Sequence, residues 1–158
     1  MARLLGYDVT IVDPRTAFAS IERFPDVKVI AEWPDVALPP LGIDHYTAFV
    51  ALTHDPKLDD LSLMEGLKSA AFYVGAIGSK KNNDARRERL KEFDVSVEEI
   101  ARLRGPVGLY IGSKTPPEIA VAILAEMTAV RHGVSEPSWA AKTERRFDAS
   151  ACEVKTAT

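Results

Sequence analysis

Cysteine is almost absent: Cys152 is the only one in 158 residues, which excludes an internal disulfide and any metal site built from clustered thiolates. No apolar run approaches the roughly 18 residues of a membrane-spanning helix, and the first residues lack the layout of a secretory signal. Charge of one sign is scarce as well. Twenty Lys and Arg against 23 Asp and Glu leave a net charge of −3, so neither nucleic acid nor a membrane is an expected partner. Internal repeats and low-complexity tracts are missing too. A reducing, cytoplasmic setting is the expectation that follows.

What is present is a hydrophobic content of 46%, enough for a core in a length that suits one domain. The stretch GPVGLYIGSKTPPEIAVAILAEMTAVRHG, residues 105–133, organises the reading. Val107, Leu109 and Ile111 alternate as one face of a short strand, and from Ile119 onward apolar residues recur at helical spacing. Thr115 and Glu118 form a capping box, Pro116 and Pro117 occupy a first turn that needs no amide donor, and Gly112 supplies a tight turn. Arg131, His132 and Gly133 stop the helix.

The chain opens with Met1 to Leu5 as the last turn of a helix, Gly6 as its stop, and a strand over 7–12 with Asp13 at its tip. A short helix is expected from about Thr16 to Arg23, a strand over 28–31, and a Pro-rich linker in WPDVALPP. Residues 47–52 read as a strand ending in Thr53-His54-Asp55-Pro56, followed by a helix whose buried stripe is Leu61, Met64 and Leu67. A strand over 72–76 runs through Gly75 into Gly78-Ser79-Lys80-Lys81 and a basic helix over 82–93 containing Arg86, Arg87 and Arg89. Ser96 and Glu99 form a second capping box and turn Val97, Ile100 and Leu103 inward. Residues 134–158 carry no period and read as a flexible polar tail behind a domain of residues 1–133.

Strands alternating with helices predict an α/β fold, a Rossmann-like, doubly wound, mostly parallel sheet with ligands at the strands' carboxyl ends. Four segments fall there: Asp13 to Arg15, Thr53 to Pro56, Gly78 to Lys81, and Gly112 to Thr115. Gly78-Ser79-Lys80 before a helix can offer free amides and an ammonium to a phosphate, or be an ordinary strand-to-helix turn. The basic helix tips that balance toward an anion. It does not match a P-loop. Gly112-Ser113-Lys114 is a weaker cradle, because two prolines remove donors and Thr115 caps the rest, though glycine there admits a flat ligand. Asp13 can accept from a ribose, or simply build an Asp-Pro-Arg turn. His54 is the one acid or base candidate at a strand end, and equally a loop residue beside a helix cap.

A dinucleotide fold begins with a strand and a Gly-rich loop ahead of the strand that ends in an acid, and neither precedes Asp13. The expectation is that the second and fourth strands pair directly, that another chain supplies a strand, or that an edge stays exposed. Self-association or a complementing chain is therefore expected.

Thr53-His54-Asp55-Pro56, Tyr73 through Lys80, Gly105-Pro106-Val107-Gly108, Ile111-Gly112, Thr115 through Ala120, Leu124-Ala125-Glu126, Asp13-Pro14-Arg15 and Glu22-Arg23-Phe24-Pro25 together resemble the C-terminal Rossmann domain of the xanthine dehydrogenase accessory factor family, XdhC/CoxI. The resemblance covers roughly residues 1–133. It implies a non-catalytic chaperone that binds molybdenum cofactor, assists its sulfuration with a cysteine desulfurase, and delivers it to xanthine dehydrogenase or a related molybdenum hydroxylase. The implied cofactor-binding residues are Asp13, Arg15, Thr53, His54, Asp55, Gly75, Gly78, Ser79, Lys80, Gly112 and Thr115, with Lys81 adding charge near the phosphate of the molybdopterin. An NAD(P)-dependent oxidoreductase or nucleotide-binding domain is the alternative.

Overall fold

Five short strands form two open, all-parallel sheets in the computed structural model, which describes residues 1–134. Strands β1 (Thr10–Val12) and β2 (Lys28–Ile30) make one sheet. Strands β3 (Ala48–Ala51), β4 (Tyr73–Ala76) and β5 (Leu103–Arg104) make the other, with β4 in the middle. Helices α1 (Pro34–Ala37), α2 (Pro56–Lys68), α3 (Lys80–Lys91), α4 (Val97–Ala101) and α5 (Pro116–Arg131) connect or follow them. The expected polar tail, apart from Val134, and Cys152 lie outside the described residues.

The larger sheet is covered on both faces because its residues alternate. Val74 and Ala76 of β4 point to a cluster with Leu63 and Leu67 of α2, Leu90 of α3, Ile100 of α4 and Leu103. Tyr73 points the other way, onto Ile123 and Met127 of α5, where Ala48, Val50 and Tyr7 also pack. Each fully buried large apolar side chain here contributes about 1.5–3 kcal/mol. All four β4 residues are buried, as expected for a parallel strand flanked on both edges.

Several expectations hold. A 3-10 turn at Ala2–Leu5 ends at Gly6 in a left-handed conformation. The Ser96–Glu99 capping box is formed in both directions, and α5 begins with both prolines in its first turn.

Others are corrected. Residues 107–111 form no strand, with bends at Gly108 and Ile111 and a left-handed Gly108. Val107 still donates to the Ala76 carbonyl at the end of β4, but Gly108 donates to the Glu126 carboxylate and Leu109 to the Ala122 carbonyl, both on α5. The strand in that place is β5, only two residues long. Residues 16–23 form isolated turns rather than a helix. Phe18 and Ile21 are exposed, and so short a helix does not persist without a buried face. The Pro-rich segment is helical instead of a linker, because Pro34 sits at the first position of α1 and Pro39 begins a 3-10 turn, where a missing amide does no harm. In α2 the buried stripe is Leu58, Leu63 and Leu67, while Leu61 and Met64 line a shallow groove with Trp33 and Phe93. Val97, at the exposed start of α4, faces outward, whereas Ile100 and Leu103 are buried.

The doubly wound plan is present with a break in it. Among the described residues no strand joins β1 to β3, and the second and fourth strands of the expected order do not pair directly.

Candidate functional site

Two of the four strand-end segments are held by one buried polar network, and a third faces it. The network starts at Asp59 and Asp60 on the inward side of α2 and at Asn83 and Arg86 on α3, all four buried. Arg86 donates from Nη2 to Asp59 at 3.0 Å, from Nη1 to the Asn83 side chain at 2.7 Å, and from Nη1 to the Ile77 carbonyl at 3.0 Å. Its Nε lies 3.4 Å from Asp60, which also receives Arg89 at 2.7 Å. Every buried side-chain polar atom among the described residues finds a partner. A buried charge cluster persists only when satisfied in this way.

The network fixes two loops at the sheet's carboxyl edge. Asp59 accepts from the Thr53 hydroxyl at 2.7 Å and from the Thr53 amide at 3.2 Å. The Asn83 amide group donates to the carbonyls of Gly78 and Ser79 at 3.1 and 3.2 Å. Thr53 and Gly78 are thus fixed from below by side chains on α2 and α3. Asp55 caps α2 by accepting from the Lys57 amide at 2.9 Å, and Ser79 caps α3 by accepting from Asn82 at 3.2 Å.

His54, between those anchors, is exposed and left-handed, with φ of 61°. A non-glycine residue pays about 1–2 kcal/mol there.

Asp13 and Arg15 form the third segment. Arg15 grips the Asp13 carboxylate through Nε at 2.9 Å and Nη2 at 2.7 Å, and the Arg15 amide donates to it at 2.9 Å. The hydrogen bonds from the guanidinium hold the Asp13 carboxyl below its ordinary pKa. Three of the roughly four acceptor positions of the Asp13 carboxylate are thereby engaged. Arg15 is the partly exposed member of the pair, lying over the Phe18 ring at 4.5 Å with the charges of Asp55 and Asp59 acting on it.

Gly112 to Thr115 stands apart. Glu118 accepts from the amides of Lys114 and Thr115 at 2.8 Å each, which places a carboxylate where an anionic ligand would need donors. Among the described residues no hydrogen bond or ion pair ties this loop to the other three segments. Gly75 sits within buried β4, where a Cβ would overlap Val107, so its missing side chain has a packing cause.

The basic helix, whose composition favours an anion, is not a free cationic face. Arg86 and Arg89 pair with Asp59 and Asp60, and Arg87 donates to the carbonyls of Leu103 and Gly105. The charge left at the start of α3 belongs to Lys80, 87% exposed and only loosely paired with Asp84 at 3.8 Å, and to exposed Lys81. Of the first-turn amides of α3, Asn82 donates to the Ser79 hydroxyl and Asn83 to the Ser79 carbonyl, which leaves those of Lys80 and Lys81 for a ligand.

Asp59, Asp60, Asn83 and Arg86 do not stand out in the sequence. The available signal is an Asp pair flanked by Leu58 and Leu61 within an otherwise core-facing helix, a place where charges survive only when paired.

The XdhC Rossmann domain family matches residues 1–127. The molybdenum cofactor insertion chaperone PaoD of Escherichia coli K12 is 33% identical over 138 residues, which is 87% of this chain and 37% of that protein. A probable xanthine dehydrogenase subunit from Bacillus subtilis 168 is 28% identical over 131 residues, 82% of this chain and 38% of its own. The solved structure of a xanthine dehydrogenase from Bacillus halodurans aligns with a TM-score of 0.70 at 27% identity, over 86% of this chain and 40% of that one. This chain spans less than half the length of each.

Proposed function

We propose that this chain, which belongs to the XdhC Rossmann domain family, binds molybdenum cofactor and serves as an accessory factor in its insertion into a molybdenum hydroxylase such as xanthine dehydrogenase. The observation that carries the reading is the pair of loops fixed at the carboxyl ends of β3 and β4, with exposed Lys80 and Lys81 and their free amides at the start of α3, and with Arg15 under the charges of Asp55 and Asp59. The similarity to a protein named as a molybdenum cofactor insertion chaperone supports it.

The donor set fits the organic part of that cofactor. A molybdopterin ends in a phosphate, or in a phosphate-linked nucleotide, and the α3 amides with Lys80 and Lys81 would hold it. Thr53, His54 and Asp55 would supply the neighbouring loop, whose Asp55 charge acts on Arg15. Among the described residues no three His, Cys, Asp or Glu side chains gather as metal ligands, so the proposal assigns this chain the pterin and phosphate. Sulfuration with a cysteine desulfurase belongs to the same reading, as does a complementing chain or self-association.

The nicotinamide alternative is weakened at Asp13, whose carboxylate already accepts three hydrogen bonds from Arg15. Anaerobic titration of the chain with molybdenum cofactor, with NADH and ADP as comparison ligands, separates the two. Saturable binding of the pterin alone is expected. Preferential binding of NADH with hydride transfer would contradict the proposal.

A further inference from the structure

We propose that the groove between α2 and α3 docks an amphipathic helix of a partner protein, one whose apolar anchors are flanked by carboxylates. Leu61 and Met64 of α2 line the groove together with Phe93, just past α3, and Trp33, at the start of α1, and its volume is about 400 Å³. Leu61 and Met64 lie off the stripe of Leu58, Leu63 and Leu67 that α2 buries, while Trp33 and Phe93 are 48% and 44% exposed. Such a gathering of Trp, Met and Phe in one concavity, with almost no polar atom exposed in its lining, has the composition of an interface core rather than of a solvated helix face. The space between the ridges of two helices admits a third helix.

Charge selects the occupant. Asp60 is the one anion of the lining, and its charge is already taken: Arg89 holds its two oxygens at 2.7 and 3.2 Å, and Arg86 approaches at 3.4 Å. Lys57, exposed at the start of α2, has no ion pair among the described residues. With scarcely any polar surface in the lining, Lys57 and Arg89 contribute their aliphatic stems and keep their charged ends at the rim. Two cations against one anion leave the groove with a net charge of +1, in a chain whose net charge is −3. A second copy is the wrong occupant, because a two-fold dimer through this groove would set Lys57 and Arg89 of one chain against the same pair of the other. A helix carrying carboxylates beside its apolar anchors meets both the floor and the rim.

Lys57 follows directly on the Thr53–Asp55 loop and Pro56, so the docked helix lies beside that loop. This inference does not depend on the cofactor reading.

The test uses the whole chain carrying Trp139→Phe, so that tryptophan emission reports Trp33 alone. The probe is a synthetic helical peptide of about 15 residues with leucines at i and i+4 on one face and glutamates beside them. Titration is expected to shift Trp33 emission saturably to the blue and to move the Met64 methyl signal in NMR. Replacing the peptide's glutamates with lysines, or its leucines with alanines, should weaken binding at least about tenfold. Lys57→Glu, at an exposed position where an acid suits a helix start, should abolish the preference for the glutamate peptide over the lysine peptide with the melting temperature unchanged. The proposal is overturned by absent or unsaturable binding, by equal affinity for the two peptides, by a preference that survives Lys57→Glu, by a footprint that leaves out Trp33 and Met64, or by a peptide-free chain whose Trp33 is already shielded from iodide, the result expected of a second copy or of residues 135–158 as occupant.

Discussion

The three-stranded half and the two-stranded half follow the same pattern and finish it to different degrees. Around β4, strand, helix and strand close on each other, and even the charges of Asp59, Asp60 and Arg86 are buried because each has partners. Around β1 and β2 each strand spans three residues, Leu4, Phe18 and Ile21 stay exposed, and the one strong polar contact is local, Arg15 to Asp13. A parallel strand needs both neighbours before its faces can be covered. The three-stranded half therefore fixes the site loops through buried partners, and the two-stranded half leaves its strands only partly covered.

The largest effect is expected from removing the charge that joins the loops. R86M leaves Asp59 and Asp60 buried with an acceptor surplus and should destabilise the chain by about 3–5 kcal/mol, read by urea unfolding. A loss below about 1 kcal/mol would mean that the network behaves as a surface ion pair.

G105A comes next. A Cβ at Gly105 would overlap the Asn83 side chain, so the expected loss is about 1–3 kcal/mol. Exchange at Gly78 and Ser79, whose carbonyls Asn83 holds, should rise in the variant even where the fold persists.

H54G should be neutral or stabilising by less than about 1 kcal/mol, since relief of the left-handed conformation outweighs the added freedom of the unfolded chain. If His54 serves the ligand, cofactor binding weakens while the melting temperature holds or rises. Unchanged binding would leave its conformation without a functional cause.

The smallest effect belongs to the two-stranded half and to the exposed caps. Hydrogen bonds from Arg15 lower the Asp13 pKa, and backbone amides lower those of Glu99 and Glu118. On acidification the unfolded chain takes up these protons first. The stabilisation is therefore complete above the ordinary carboxylate range and is lost as pH falls below about 4. D13N should flatten part of that acid slope in urea midpoints measured from pH 7 to 3; an unchanged slope would remove Asp13 from the account.

What could be read without coordinates was local. Ser96 with Glu99 and Thr115 with Glu118 announce helix starts because the partner groups lie three residues apart, and the apolar run from Phe72 announces β4. What could not be read was set by tertiary partners. Val107, Leu109 and Ile111 alternate like a strand, yet Gly108 is held by Glu126 from α5. The arginines of α3 look like a solvated face until Asp59 and Asp60, more than 25 residues earlier, are found beneath them. Of the site, the strand-end positions were legible. The network that fixes them was not, because no spacing rule links α2 to α3.

The most direct test of the central claim is the affinity of the K80E variant for molybdenum cofactor, measured anaerobically beside the unaltered chain. Lys80 is exposed and only loosely paired, so the variant should fold with the same melting temperature and bind the cofactor about tenfold more weakly. Equal affinity in the two proteins would contradict the placement of the phosphate at the start of α3.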